Sequence, residues 1–141
     1  MAELVRPRRA VPLSALDHFE SISEMASGVE IVAKKLIRAD DPYLIGHYPD
    51  FPIYPGVFII ESVGQAVEAL VRSKQVSAEL IAIGSVRFIA PVLPGDMLSI
   101  RCRCVYEPDV RLAVRADCQN DNDVKVAQMR LKFQLCGRAD V

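Results

Sequence analysis

Apolar residues return on a helical period in one long stretch of this chain and alternate with polar ones in several others. From Val57-Phe58-Ile59-Ile60 to Leu70-Val71 they recur every three or four positions, and Ala66, Ala69, Leu70 and Ser73 continue the pattern. Apolar side chains occupy nearly every side, so this helix is expected to be buried, and Glu61 with it. Pro55 stands at its mouth, where a missing N–H costs nothing. Gly64 weakens the helix by roughly 1 kcal/mol against alanine. A close approach by a sheet or a partner is therefore expected there.

Strand patterns flank the helix. Leu16 to Ile22 and Val29 to Ile37 read as strands separated by Ser27-Gly28. Leu80 to Ile89 is rich in Ile and Val until Pro91-Val92-Leu93-Pro94-Gly95-Asp96 breaks it. Met97 to Tyr106 sets Leu98, Ile100, Cys102 and Cys104 against Arg101 and Arg103. Arg111 to Cys118 alternates again, and Val124 to Leu135 follows the turn signal Asn120-Asp121-Asn122-Asp123. One long buried helix against five or six mostly antiparallel strands is an α+β layer, and 141 residues make it a single domain, 1–141.

Composition narrows the class. With 51% hydrophobic and 25% charged residues and a net charge of -1, the chain reads as a soluble cytoplasmic protein. There is no basic excess for nucleic acid. The longest apolar run, Val57 to Ile60, is too short for a membrane span, and no h-region marks a secretory signal. The four cysteines read as reduced thiols, and their spacing matches no zinc site, so no metal is expected.

The chemistry concentrates at His47-Tyr48-Pro49-Asp50-Phe51-Pro52-Ile53-Tyr54-Pro55-Gly56, which runs into the helix carrying Glu61. Histidine titrates near neutrality and suits a base, and a carboxyl flanked by Phe58, Ile59, Ile60 and Val63 suits an acid. Such a pair can eliminate or add water. The prolines restrict the loop that holds His47, and Gly56 lets backbone come close to a substrate. Gln65, one turn on, either orients Glu61 or satisfies a buried backbone group. Tyr48, Phe51, Tyr54, Val57 and Phe58 are candidates for lining a substrate pocket, the aromatics equally for core. His18 reads as structural, and Arg72, Lys74 and Arg87 as candidates for meeting an acidic partner.

The run from His47 to Glu61, continuing Ser62-Val63-Gly64-Gln65-Ala66, resembles the signature of the β-hydroxyacyl-ACP dehydratases of the FabZ/FabA type. Val86-Arg87-Phe88-Ile89-Ala90-Pro91-Val92-Leu93-Pro94-Gly95-Asp96 is similar to that family's second block. The resemblance implies a hot-dog fold, a helix wrapped by a curved antiparallel sheet and paired into a dimer. It implies dehydration of 3-hydroxyacyl thioesters on acyl carrier protein to trans-2-enoyl thioesters, in fatty acid or polyketide synthesis. His47 is then the catalytic base, Glu61 the acid from the neighbouring subunit, and Gly56 the backbone donor to the thioester carbonyl. No cofactor is implied beyond the carrier's phosphopantetheine. A homodimer is expected, with a heterodimer or trimer of dimers as variants. Asp50 and Tyr48 depart from the family's usual glycine and phenylalanine. Two alternatives stand beside this reading: a hot-dog acyl thioesterase, and a non-catalytic subunit of a heterodimeric dehydratase.

Overall fold

The computed structural model describes residues 16–40 and 54–137. His47, Tyr48 and Phe51, with the prolines between them, lie outside the described residues. Within those residues run β1 (His18–Met25), β2 (Gly28–Leu36), α1 (Gly56–Arg72), β3 (Val76–Phe88), β4 (Met97–Glu107), β5 (Arg111–Gln119) and β6 (Lys125–Gly137). The strands form one antiparallel sheet in the order β1-β2-β4-β5-β6-β3, curved around the helix. No helix among the described residues is long and apolar enough to cross a membrane.

Alternation in the sequence becomes inside and outside in the sheet. Leu98, Ile100, Cys102 and Cys104 of β4, Leu112, Val114, Ala116 and Cys118 of β5, and Val126, Met129, Leu131 and Phe133 of β6 are buried. They meet Ile59, Val63, Ala66, Val67, Leu70 and Val71 of α1 in one core. The arginines between them face solvent, as period-two side-chain geometry requires. Helix and sheet are also tied by a hydrogen bond, because the Ala78 N–H donates to Glu68 Oε1 at 3.0 Å.

Two expectations about α1 need correction. It is buried along one face, not on all sides, and Glu61 is exposed. With core contacts at positions 59, 63, 66, 67 and 70, residue 61 falls about half a turn away on the open side. Among the described residues, no atom outside the helix's own backbone lies within 4 Å of where a Cβ on Gly64 would stand, so the described sheet does not explain the glycine.

The connections explain the turn residues. Gly28 closes the two-residue β1–β2 hairpin at φ +155°, and a Cβ there would overlap the Cys104 carbonyl oxygen. Pro94 precedes Gly95 at φ +94°, the residue order a type II turn needs. This turn is pinned to the end of β2 from both sides: Gly95 N–H donates to Ile37 O at 2.7 Å, and Ile37 N–H to Asp96 O at 2.9 Å. In the β5–β6 turn, Asn120 Oδ1 accepts from the N–H groups of Asn122 and Val124 at 2.9 and 3.0 Å.

The β4–β5 turn is strained. Asp109 and Val110 sit at φ +67° and +57°, which a β-branched residue adopts only at a cost. Gln134 holds them by donating from Nε2 to the carbonyls of Asp109 and Val110, each at 3.0 Å. Leu135 N–H adds a bond of 2.8 Å to Val110 O. Since the Val110 side chain is exposed, little packing offsets the strain. Val110→Asn is expected to raise stability by roughly 0.5–1 kcal/mol, read from urea denaturation; an unchanged or lowered midpoint would show that the turn carries no such strain.

Candidate active site

The mouth of α1 is built where the two motif blocks of the sequence meet. Tyr54 N–H donates to Val92 O at 2.8 Å, which docks the residues before the helix onto the segment after β3. Phe58 N–H returns to Pro55 O at 3.0 Å and closes the first turn. Pro55 supplies no side-chain cap, and no acidic residue lies in the first turn. The leading amides of Gly56 and Val57 thus keep the partial positive charge of a helix N-terminus, which suits an oxygen that gains negative charge.

These residues frame a cleft of about 450 Å3, lined by Tyr54, Gly56, Val57, Phe88, Pro91 and Val92 among others. Gly56 has a specific steric role. A Cβ at this position would stand 2.5 Å from Phe88 Cζ, so the aromatic ring lies against the bare backbone. The missing side chain thus makes room for Phe88 as well as for a substrate.

The candidate residues divide. Gly56, Val57 and Tyr54 come together at the cleft. Tyr54 is buried, and Phe58 meets it edge-on with ring centroids 5.5 Å apart, so Phe58 braces Tyr54 and packs on the core. Glu61 is not among the residues lining the cleft of its own chain. Its carboxylate Oε1 accepts from Gln65 Nε2 at 3.3 Å, which favours the orienting role for Gln65. Arg87 neighbours Phe88 in sequence, whereas Arg72 ends the 17-residue helix and Lys74 follows it, about 25 Å from the mouth. Lys74 is also engaged, donating to the Tyr106 hydroxyl at 2.6 Å. Phe88 and the residues up to Val92 were visible as a motif but not as cleft walls, because nothing local in the sequence places that segment against the helix mouth.

Cysteine offers no alternative nucleophile inside the fold. Burial pushes the thiols of Cys104 and Cys118 up to about 12 and that of Cys102 well above its ordinary value. Among the described residues no group of three or more His, Cys, Asp or Glu side chains is gathered as a metal site would need.

A family model described as ApeI-like, ApeI dehydratase, matches residues 23–134. The chain belongs to the ApeI-like dehydratase family. Among curated proteins it is similar to the 3-hydroxyacyl-[acyl-carrier-protein] dehydratase FabZ of Symbiobacterium thermophilum, 37% identical over 124 residues, 85% of this chain and 87% of that protein. The match to the FabZ of Polynucleobacter asymbioticus is 36% over 88 residues and spans 60% of this chain and 59% of that one, less than two thirds of its length. Among solved structures the fluoroacetyl-CoA thioesterase FlK superposes with a TM-score of 0.67 at 14% identity, over 82% of this chain and 90% of that one. At that identity the likeness speaks to the fold alone, which is the hot dog.

Two measurements check this geometry. Gly56→Ala is expected to cost about 1 kcal/mol of stability, the low end for overpacking, because the half-exposed Phe88 ring can swing aside. That cost should largely vanish in a Phe88→Ala background, and an undiminished cost there would rule out the contact as its cause. Of the four cysteines, a thiol reagent at mildly alkaline pH should label Cys136 quickly and the three buried ones only on unfolding. Rapid labelling of more than one thiol in the native protein would contradict their burial.

Proposed function

We propose that this member of the family dehydrates 3-hydroxyacyl thioesters carried on acyl carrier protein to trans-2-enoyl thioesters. The observation that carries the reading is the meeting of both motif blocks at one cleft, with Gly56 from the first and Phe88 to Val92 from the second. In this mechanism His47 removes the C2 proton, which the neighbouring thioester carbonyl makes acidic. The Gly56 N–H donates to the carbonyl oxygen as the enolate forms. Glu61, oriented by Gln65, delivers the proton with which the hydroxyl departs as water. Tyr54 and Val57 line the acyl path in this reading, and Phe58 supports it by bracing Tyr54. Loss of water changes no oxidation state, so the reaction calls for no redox cofactor, and the substrate brings its own phosphopantetheine arm. We place the enzyme in the cytoplasm.

The site is completed by dimerisation in this reading. Among the described residues β3 ends the sheet with one edge unpaired, and it exposes Leu80, Ile81, Ile83 and Phe88. Such an edge is an open template for a second strand. The open face of α1 adds Val57, 64% exposed, and the unoccupied surface over Gly64. Pairing two copies along β3 would cover these surfaces, and each site in this reading combines Glu61 of one protomer with His47 of the other.

Mass spectrometry of a 3-hydroxyacyl-carrier substrate series tests the chemistry. Wild type is expected to yield the product lighter by one water, and His47→Ala and Glu61→Gln each to lower turnover by roughly 100-fold or more. Mixing the two inactive variants, so that heterodimers form, should restore activity, because one of the two shared sites then holds both native residues. No recovery in verified heterodimers would place both residues in one chain. Release of free thiol would support a thioesterase instead, and inertness across all chain lengths a non-catalytic subunit.

A further inference from the structure

We propose that the outer face of the sheet carries a second binding site, for a small phosphate-bearing molecule held between Arg115 and Arg130. Register places Arg103, Arg115 and Arg130 in one row across β4, β5 and β6, each directly opposite the next. Residues so paired have Cβ atoms about 4.5–5.5 Å apart, and like charges there repel. The nearby carboxylates are engaged elsewhere. Glu30 lies between Arg101 and Arg103, at 3.7 and 3.4 Å. Asp117 takes Lys125 at 3.5 Å, and Glu107 takes Lys132 at 3.6 Å. Among the described residues Arg115 and Arg130 have no acidic partner. Two unneutralised guanidinium groups thus face each other in a chain whose net charge is -1.

The space beside them fits a ligand. A groove of about 670 Å3 runs along this face, with Ala82, Gly84 and Ala113 leaving it open between the cations. That volume lies within the usual range of small-molecule sites, about 300–1,000 Å3. A guanidinium presents a planar fork that matches phosphate oxygens two at a time, and two such forks match the charge of a phosphate dianion. The core-facing side chains of β4, β5 and β6 pack toward α1, so the groove lies on the opposite surface from the helix and is separate from the cleft at its mouth. The inference stands whether or not the dehydration does, because its test reads binding alone.

Titration calorimetry with ADP, adenosine 3′,5′-bisphosphate and inorganic pyrophosphate tests it, using probes without a pantetheine arm that could enter the cleft. Saturable binding that weakens with salt is expected, and Arg115→Gln or Arg130→Gln should each reduce affinity roughly tenfold or more. Arg111→Gln, on the same face but outside the groove lining, should change it by less than about twofold. Tighter binding of the nucleotides than of pyrophosphate identifies a nucleoside-bearing ligand, and equal binding a bare phosphate group; either supports the site. Both arginine variants should keep the wild-type circular dichroism spectrum and melt no lower, since each removes one member of a repelling pair. Absence of binding at millimolar probe, or binding that survives the double variant, would overturn the proposal. So would binding of an acidic protein alone, lost in the same variants.

Discussion

The Phe88 ring lies on the backbone of Gly56, and this approach decides how the helix mouth can be built. A ring that close requires a residue without a Cβ at the first helical position, and it requires β3 to deliver Phe88 to that point. Delivery depends on the 13-residue strand staying paired with β6 through two register shifts, at Ile81 and at Gly84, and on the segment after it turning back to meet Tyr54. The Pro94-Gly95 turn then hands the chain to β4 while fastened to Ile37 at the end of β2. A local contact between a ring and a glycine thus draws on pairings spread over most of the sheet.

The same contact accounts for what could be read in advance. Alternation located β4, β5 and β6 to within about two residues at either end, because each has one face in the core and one in solvent. β3 was harder to delimit. It starts at Val76, four residues before the apolar run begins at Leu80, since an edge strand exposed along much of its length imposes no burial pattern on Ser77 or Glu79. The identity of the cleft-forming segments was legible as motifs. Their adjacency was not, because it depends on a hydrogen bond between residues 54 and 92 that no local pattern encodes.

Glu61 shows a different limit. Apolar neighbours at positions 58, 59, 60 and 63 suggested burial, but neighbours in sequence on a helix point in different directions, and only 59 and 63 of these are fully buried. Counting apolar residues overstates how much of a helix is covered whenever part of that surface is kept for something outside the chain. Val57, Glu61 and Gly64 share the open side of α1, and the exposed Leu80, Ile81 and Ile83 belong to the free edge strand. Glu61 stands on that open side, so the role proposed for it depends on what covers the surface.

That dependence separates positioning from activation. The amides at the start of α1 and the Tyr54 anchor are set within one chain, as is the approach of the Phe88 ring to Gly56. The environment proposed for Glu61 is not set among the described residues of one chain, where its side-chain partner is the neutral amide of Gln65. A neutral donor at 3.3 Å fixes the direction of the carboxylate without setting a charge beside it. In the proposed dimer, assembly would act by covering more than by rearrangement, since a second apolar surface laid over Val57 and Gly64 would take that side of α1 out of water while leaving the helix mouth as it stands.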